Sequence, residues 1–161
     1  MYSAERINEK AAIESGIDTD WYLLDDNFQI AIVASAGGLL PESVSSDLPR
    51  LERTIKYFRA LPVLSNEITL TDDVCKLIAG YNQQQKDTYL KDVHYMTSRG
   101  FYYFDKVVVN AYDDFRYFLK AKPAKPLIID REDNAIKELL SFPRLKGEFE
   151  NLIQFMVNGI E

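Results

Sequence analysis

DWYLLDDNFQIAIVASAGGLLPESV, residues 20–44, is the stretch whose reading decides the fold. It divides into a strand from Trp21 to Asp25, a turn, a second strand from Phe28 to Ala34, a glycine loop and a proline-marked helix entry. Asp26 and Asn27 tolerate the positive φ of a tight two-residue turn, so the strands are expected to pair as an antiparallel hairpin. Side chains alternate faces along a strand. Phe28, Ile30, Ile32 and Ala34 therefore share one face, the expected core face. Gln29, Ala31, Val33 and Ser35 share the other, left open to a helix or to solvent. Gly37 and Gly38 permit a bend that a Cβ would resist.

Outward from the hairpin, helical patterns take over. Upstream, residues 3–14 carry a weak stripe of Ile7, Ala11 and Ile13, stopped by Gly16. Downstream, Ser45, Ser46 and Asp47 are all good N-caps and Pro49 suits a first turn. Leu48, Leu51, Ile55, Phe58 and Leu61 then recur at helical spacing up to Pro62, which predicts an amphipathic helix over 47–60. Residues 67–70 read as a short extended piece. Thr71 opens residues 71–99, either one long helix with a weak point at Gly80 and Asn82 or two helices in series, with Gly100 as the stop.

Residues 101–109, FYYFDKVVV, are strongly β in composition, and residues 115–122 make a second aromatic-rich strand. Pro123 and Pro126 frame a connection to a short strand over 127–129. Asp130 is expected to cap a helix over 131–141. Phe149, Leu152, Ile153, Met156 and Val157 give a last helical stripe. Strands and helices are grouped rather than alternating. That predicts an α+β fold, a mainly antiparallel sheet packed by about four helices, in one globular domain over 1–161.

Composition narrows the function classes. A hydrophobic content of 47% with 12% aromatics supports a real core and excludes a disordered chain. No apolar run approaches the ~20 residues that span a bilayer, and the opening MYSAERINEKAAIE is too charged for a signal peptide. The single cysteine, Cys75, permits no internal disulfide and fits a reducing compartment, so a cytoplasmic location is expected. Nineteen basic against 25 acidic residues give a net charge of −6. That disfavours nucleic acid, whose affinity comes from neutralised phosphates, and is compatible with a basic protein partner.

No motif singles out chemistry. Cys75 and His94, if on one helix, stand about 28 Å apart, beyond the reach of a nucleophile–base pair. Cys75 is read as a small core residue and His94 as a helix-face residue. The doublets Asp25-Asp26, Asp72-Asp73, Asp113-Asp114 and Glu132-Asp133 fall at turns and helix starts, where turn and cap chemistry explains them without a metal. Ser35-Ala36-Gly37-Gly38 follows a strand as a phosphate loop does, but lacks the lysine and hydroxyl of a P-loop. Arg99-Gly100-Phe101-Tyr102-Tyr103-Phe104 begins like an RNA-binding strand and departs at Tyr102 and Lys106. No cofactor is implied.

The strand aromatics point to both faces: Phe101 and Tyr103 to one, Tyr102 and Phe104 to the other, with Tyr117 and Phe118 again divided. Either helices cover both faces or one aromatic face meets a partner. Asp20-Trp21-Tyr22 with its hairpin, the glycine loop, Leu40-Pro41-Glu42-Ser43-Val44, and the 101–104 and 122–127 stretches together resemble small uncharacterised bacterial proteins. Small, acidic, aromatic-rich proteins of this kind resemble immunity proteins, which neutralise a toxin made by the same or a rival cell. The resemblance covers about a quarter of the chain and brings no catalytic residues. Together with the net charge, the lack of a catalytic motif and the surplus strand aromatics, it points to a non-catalytic binding module, in which Tyr102, Tyr117, Asp113 and Asp114 are the expected partner-binding residues. Two alternatives remain open. One is a small-molecule binder or carboxylate hydrolase near Trp21 and Gly37-Gly38; the other is a structural homo-oligomer.

Overall fold

The structure is a computed structural model and describes residues 19–160 apart from 110, 112, 140 and 141. The helix expected over 3–14 lies outside the described residues. The fold is α+β, with a mostly antiparallel six-stranded sheet. Strands β1 (Asp20–Leu24) and β2 (Ile30–Ala34) form the expected antiparallel hairpin. Strand β4 (Tyr102–Lys106) pairs with β2 in parallel, the one parallel pairing between strands among the described residues. Strand β5 (Arg116–Pro123) pairs antiparallel with β4, and its outer edge is shared by β3 (Ile68–Leu70) and β6 (Gln154–Met156).

The hairpin turn differs from expectation. The strands part after Leu24 and rejoin at Ile30, and the positive φ falls on Phe28 (57°) rather than on Asp26 or Asn27. Asp25 organises this longer loop. It is fully buried, and its Oδ1 accepts from the N–H groups of Asn27 (2.9 Å) and Gln29 (3.0 Å). Its Oδ2 accepts from the distant Phe149 N–H at 3.0 Å. A carboxylate holding three backbone donors outweighs the local preference for a two-residue turn.

Among the described residues the helices are α1 (Glu42–Ser45), α2 (Leu48–Arg59), α3 (Asp72–Ile78), α4 (Gln83–Thr97) and α5 (Asn134–Leu139). Helix α2 has the expected start, with Asp47 accepting from Arg50 N–H and Pro49 in the first turn. The 71–99 stretch is two helices, and Asn82 with Gln85 builds a capping box at the second start. Thr71 caps nothing with its side chain; its hydroxyl donates instead to the Leu119 carbonyl of β5. Residues 127–129 supply only a single bridge, Gln29 to Ile128. Helix α5 starts at Asn134, because Asp130 spends its carboxylate on the Glu132 N–H of a turn.

The final helical stripe is overturned. A short 3-10 turn (Phe149–Asn151) leads into β6, and a second 3-10 turn (Val157–Gly159) follows it. Phe155 and Val157 are buried while Gln154 and Met156 are exposed, a period of two. The open edge of β5 offered ladder hydrogen bonds that a helix would have left unmade.

Both faces of the sheet are covered. On one, Trp21, Val33, Phe104 and Tyr117 pack against Leu40, Phe149 and Phe155. On the other, Tyr22, Ile32 and Tyr103 meet Phe58 of α2 and Met96 of α4. The second face of β2, left open by its small side chains, is therefore core as well. Between Tyr103 and Phe104 the β4–β5 register slips, since their partners are Ala121 and Leu119. Lys120 is the extra residue of this bulge, and its ammonium reaches Asp105 Oδ2 at 2.8 Å.

Candidate functional site

Strand β4 stops at Lys106, three residues before its β-rich composition ends. Lys106 is buried, and its ammonium turns into the following loop and donates to the Ala111 carbonyl. Burial pushes this ammonium's pKa down, against Asp113 and Asp114, which pull it up. The lysine also leans on the glycine loop after β2. A Cβ at Gly38 would lie 2.6 Å from Lys106 Cε and 2.8 Å from the Ser35 carbonyl, so only glycine fits there. The parallel pairing of β2 with β4 puts both loops at one end of the sheet.

Beyond Lys106 the chain presents Val107, Val108 and Val109 to solvent, with Val109 59% exposed. Among the described residues the ladder continues through one more bond, from Val107 N–H to the Arg116 carbonyl. Arg116 is clamped by Asp114 through contacts at 2.9 and 2.6 Å, and these bonds hold the Asp114 carboxyl down at about 2. Asp113 is exposed beside it. A hollow of about 390 Å³ lies here, lined by Ala111, Asp113, Asp114, Phe115, Arg116 and Met156. Met156 is itself half exposed. Three successive apolar side chains in water, at the same end of the sheet as the exposed Met156 of β6 and the Asp113 and Asp114 carboxylates, form the pattern of a contact surface.

Of the four residues expected at a partner surface, Asp113 and Asp114 stand at this end of the sheet. Tyr102 and Tyr117 do not reach the surface, which corrects the expectation. Tyr102 is 1% exposed, packs on the Phe149 ring and donates its hydroxyl to Glu150 Oε2 at 3.0 Å. Tyr117 is fully buried, stacked on Phe155 and edge-on to Trp21. The cause is topological. Pairing with β2 sets β4 inside the sheet, where both faces are covered. The same burial removes Phe101, Tyr102, Tyr103 and Phe104 from any base-stacking role. The valines went unassigned from the sequence because their β-branched composition reads as strand.

Trp21 is also core, so it lines no surface pocket beside Gly37-Gly38. A different concavity exists. A groove of about 610 Å³ runs between the start of α3 and the 149–153 turn, over Thr69, Thr71 and Leu119. Asp72, Asp73 and Lys76 stand on one wall, and Lys122 is tied to the other by Glu150. Cys75 is exposed on α3 and not a core residue, and His94 is exposed on α4. Among the described residues no three His, Cys, Asp or Glu side chains are grouped to hold a metal ion.

One further charged cluster ties the helices to the sheet. Arg59 of α2 bridges Asp20 of β1 at 2.5 Å and Asp92 of α4 at 2.8 Å, and Tyr103 donates to Asp92 at 2.9 Å. Burial would raise the Asp92 pKa, but the Arg59 and Tyr103 bonds outweigh it and hold the carboxyl below its ordinary value. Every charge here is answered by another, which marks a clasp rather than a reacting centre. Among the described residues no helix is long and apolar enough to cross a membrane. No protein-family model, curated protein or solved structure matches this chain.

Proposed function

We propose that this chain is a non-catalytic cytosolic binding module of the immunity type, which engages a basic partner protein through the 107–115 end of its sheet. The exposed Val107–Val108–Val109 run, at the same end of the sheet as Asp113 and Met156, carries this reading. Apolar side chains held in water supply the desolvated centre of an interface, and carboxylates at its rim choose a cationic mate. The net charge of −6 would steer such a partner in. The resemblance to immunity proteins agrees with it.

The test compares the wild type with V108D/V109D as bait in a low-salt capture from the native host lysate. The expected result is a basic protein recovered stoichiometrically by the wild type, released by salt, and bound at least about tenfold more weakly by the variant. A partner that both baits hold equally overturns the reading. Self-association abolished by V108D/V109D would assign the surface to a homo-oligomer instead.

The groove between α3 and the 149–153 turn supports a second reading, a small-molecule binder. Its volume falls within the ordinary range of ligand sites, and Asp72, Lys76 and Lys122 converge on it.

A further inference from the structure

The opposite end of the sheet carries the one bulky residue among the described residues held in a left-handed conformation. Phe28 has φ 57°, which large side chains rarely adopt. Its N–H donates to the Asp25 carbonyl (3.2 Å), and its own carbonyl accepts from Ile129 N–H (2.9 Å). Backbone strain fixed in this way collects where a side chain must be presented in one pose.

That pose sets the Phe28 ring beside two guanidinium groups. Arg131 Cζ lies over the ring at 5.2 Å from its centroid and Arg144 Cζ at 4.8 Å. Both arginines are exposed, and Lys146 and Ile128 are exposed nearby in the chain. Neither guanidinium has a carboxylate within ion-pair distance among the described residues, although carboxylates are close in sequence. Those are otherwise engaged. Asp26 accepts from Gly147 N–H, Asp130 from Glu132 N–H, and Glu132 from the Lys137 ammonium. A guanidinium resting on a ring keeps its N–H edge for a planar or tetrahedral oxyanion, and the one Phe28 ring serves both arginines.

We infer that Arg131 and Arg144, both seated on the Phe28 ring, form an oxyanion site that takes a phosphate or carboxylate group on their guanidinium N–H edges. The site is independent of the valine-bearing surface and selects the opposite charge. Its donors are bidentate and directional, whereas surface lysines would attract anions without geometry.

The test follows the arginine Nε–Hε resonances of the full chain at low salt during titration, first with inorganic phosphate and separately with a short glutamate peptide. Saturable shifts of Arg131 and Arg144 at millimolar ligand or below are expected. R144Q and R131Q should each weaken binding about tenfold, and together abolish it. Lys56→Gln on α2 is the charge control and should change affinity less than twofold, since Lys56 is already answered by Glu52. Tighter binding of phosphate assigns free phosphate or its esters as the source; tighter binding of the peptide assigns an acidic protein segment. Absence of saturation with both ligands, or equal losses in K56Q and R144Q, overturns the site. Both arginines are solvent-exposed, so the variants are expected to fold, and an unchanged unfolding midpoint verifies it.

Discussion

The two ends of the sheet face the same problem, a charged side chain buried where strands stop, and solve it differently. At the 25–29 turn, Asp25 accepts from two backbone N–H groups of its own loop, Asn27 and Gln29, and from that of the distant Phe149. At the other end, Lys106 finds the Ala111 carbonyl, five residues away. Asp25 therefore sews the first hairpin to the chain before β6, while Lys106 only folds its own loop back. Neighbouring bonds strengthen the contrast. Leu24 exchanges backbone hydrogen bonds with Pro143 (3.1 Å) and Leu145 (2.8 Å), and Asp26 takes a further bond from Gly147 N–H. One end is knit by long-range bonds and holds a strained Phe28. The other is held locally and leaves three valines in water. Local attachment leaves a loop free to adapt to what it meets, and long-range attachment fixes a pose in advance.

Exchanging the two buried charges breaks the comparison most severely. Asp25→Ala strands three backbone donors in a dry site, and its expected cost is about 3–5 kcal/mol, read as a fall in the urea midpoint. Lys106→Met keeps the volume and removes a charge that burial disfavours, so its expected effect lies within about 1 kcal/mol of zero. Equal losses at both sites would show that the ends are built alike and would refute the argument from bond number.

The Arg59 clasp gives a smaller, pH-dependent effect. Asp92 has its carboxyl held below the ordinary 3.8 in the folded chain. The folded state thus binds fewer protons here than the unfolded one as pH falls through that region. The stabilisation is complete above pH 3.8 and disappears as pH drops through the lower, folded value. With the Asp92 side chain 44% exposed, its contribution is about 1 kcal/mol after allowance for solvent screening. Asp92→Asn should therefore lower stability near neutral pH by that amount and flatten the acid limb of the stability–pH curve below pH 4. An acid limb as steep in the variant as in the wild type would place the titrating group elsewhere.

Local chemistry made much of this fold legible. Asp47 and Pro49 announce α2, Asn82 and Gln85 announce α4, and the 101–104 aromatics announce β4. What stayed hidden depends on which strand lies beside which. Phe149, Leu152, Ile153 and Met156 fit a helical spacing as well as Phe155 and Val157 fit a strand. The unfilled edge of β5, more than thirty positions earlier in the chain, decided between them. Tyr102 and Tyr117 were misassigned for the same reason, since nothing near them in sequence reveals that β4 pairs with β2. The turn at Asp113 and Asp114 was legible because a turn is a local event. The seating of Arg131 and Arg144 was not, because Phe28, whose ring both approach, is about a hundred positions away.

The valines give the smallest effect on stability and the sharpest one on function. Side chains already in water contribute little to the core, so Val108→Ser with Val109→Ser should shift stability by no more than about 0.5 kcal/mol. If the run instead closed over the Lys106 ammonium and kept water from it, the same change would cost as much as a core truncation, roughly 2 kcal/mol or more. Thermal unfolding of the double variant separates these outcomes. A neutral result, together with loss of partner capture, means that the apolar run is retained for contact with another molecule. A large loss means that the loop is a lid over its own lysine, and the difference between the two ends would then be one of chemistry alone and not of purpose.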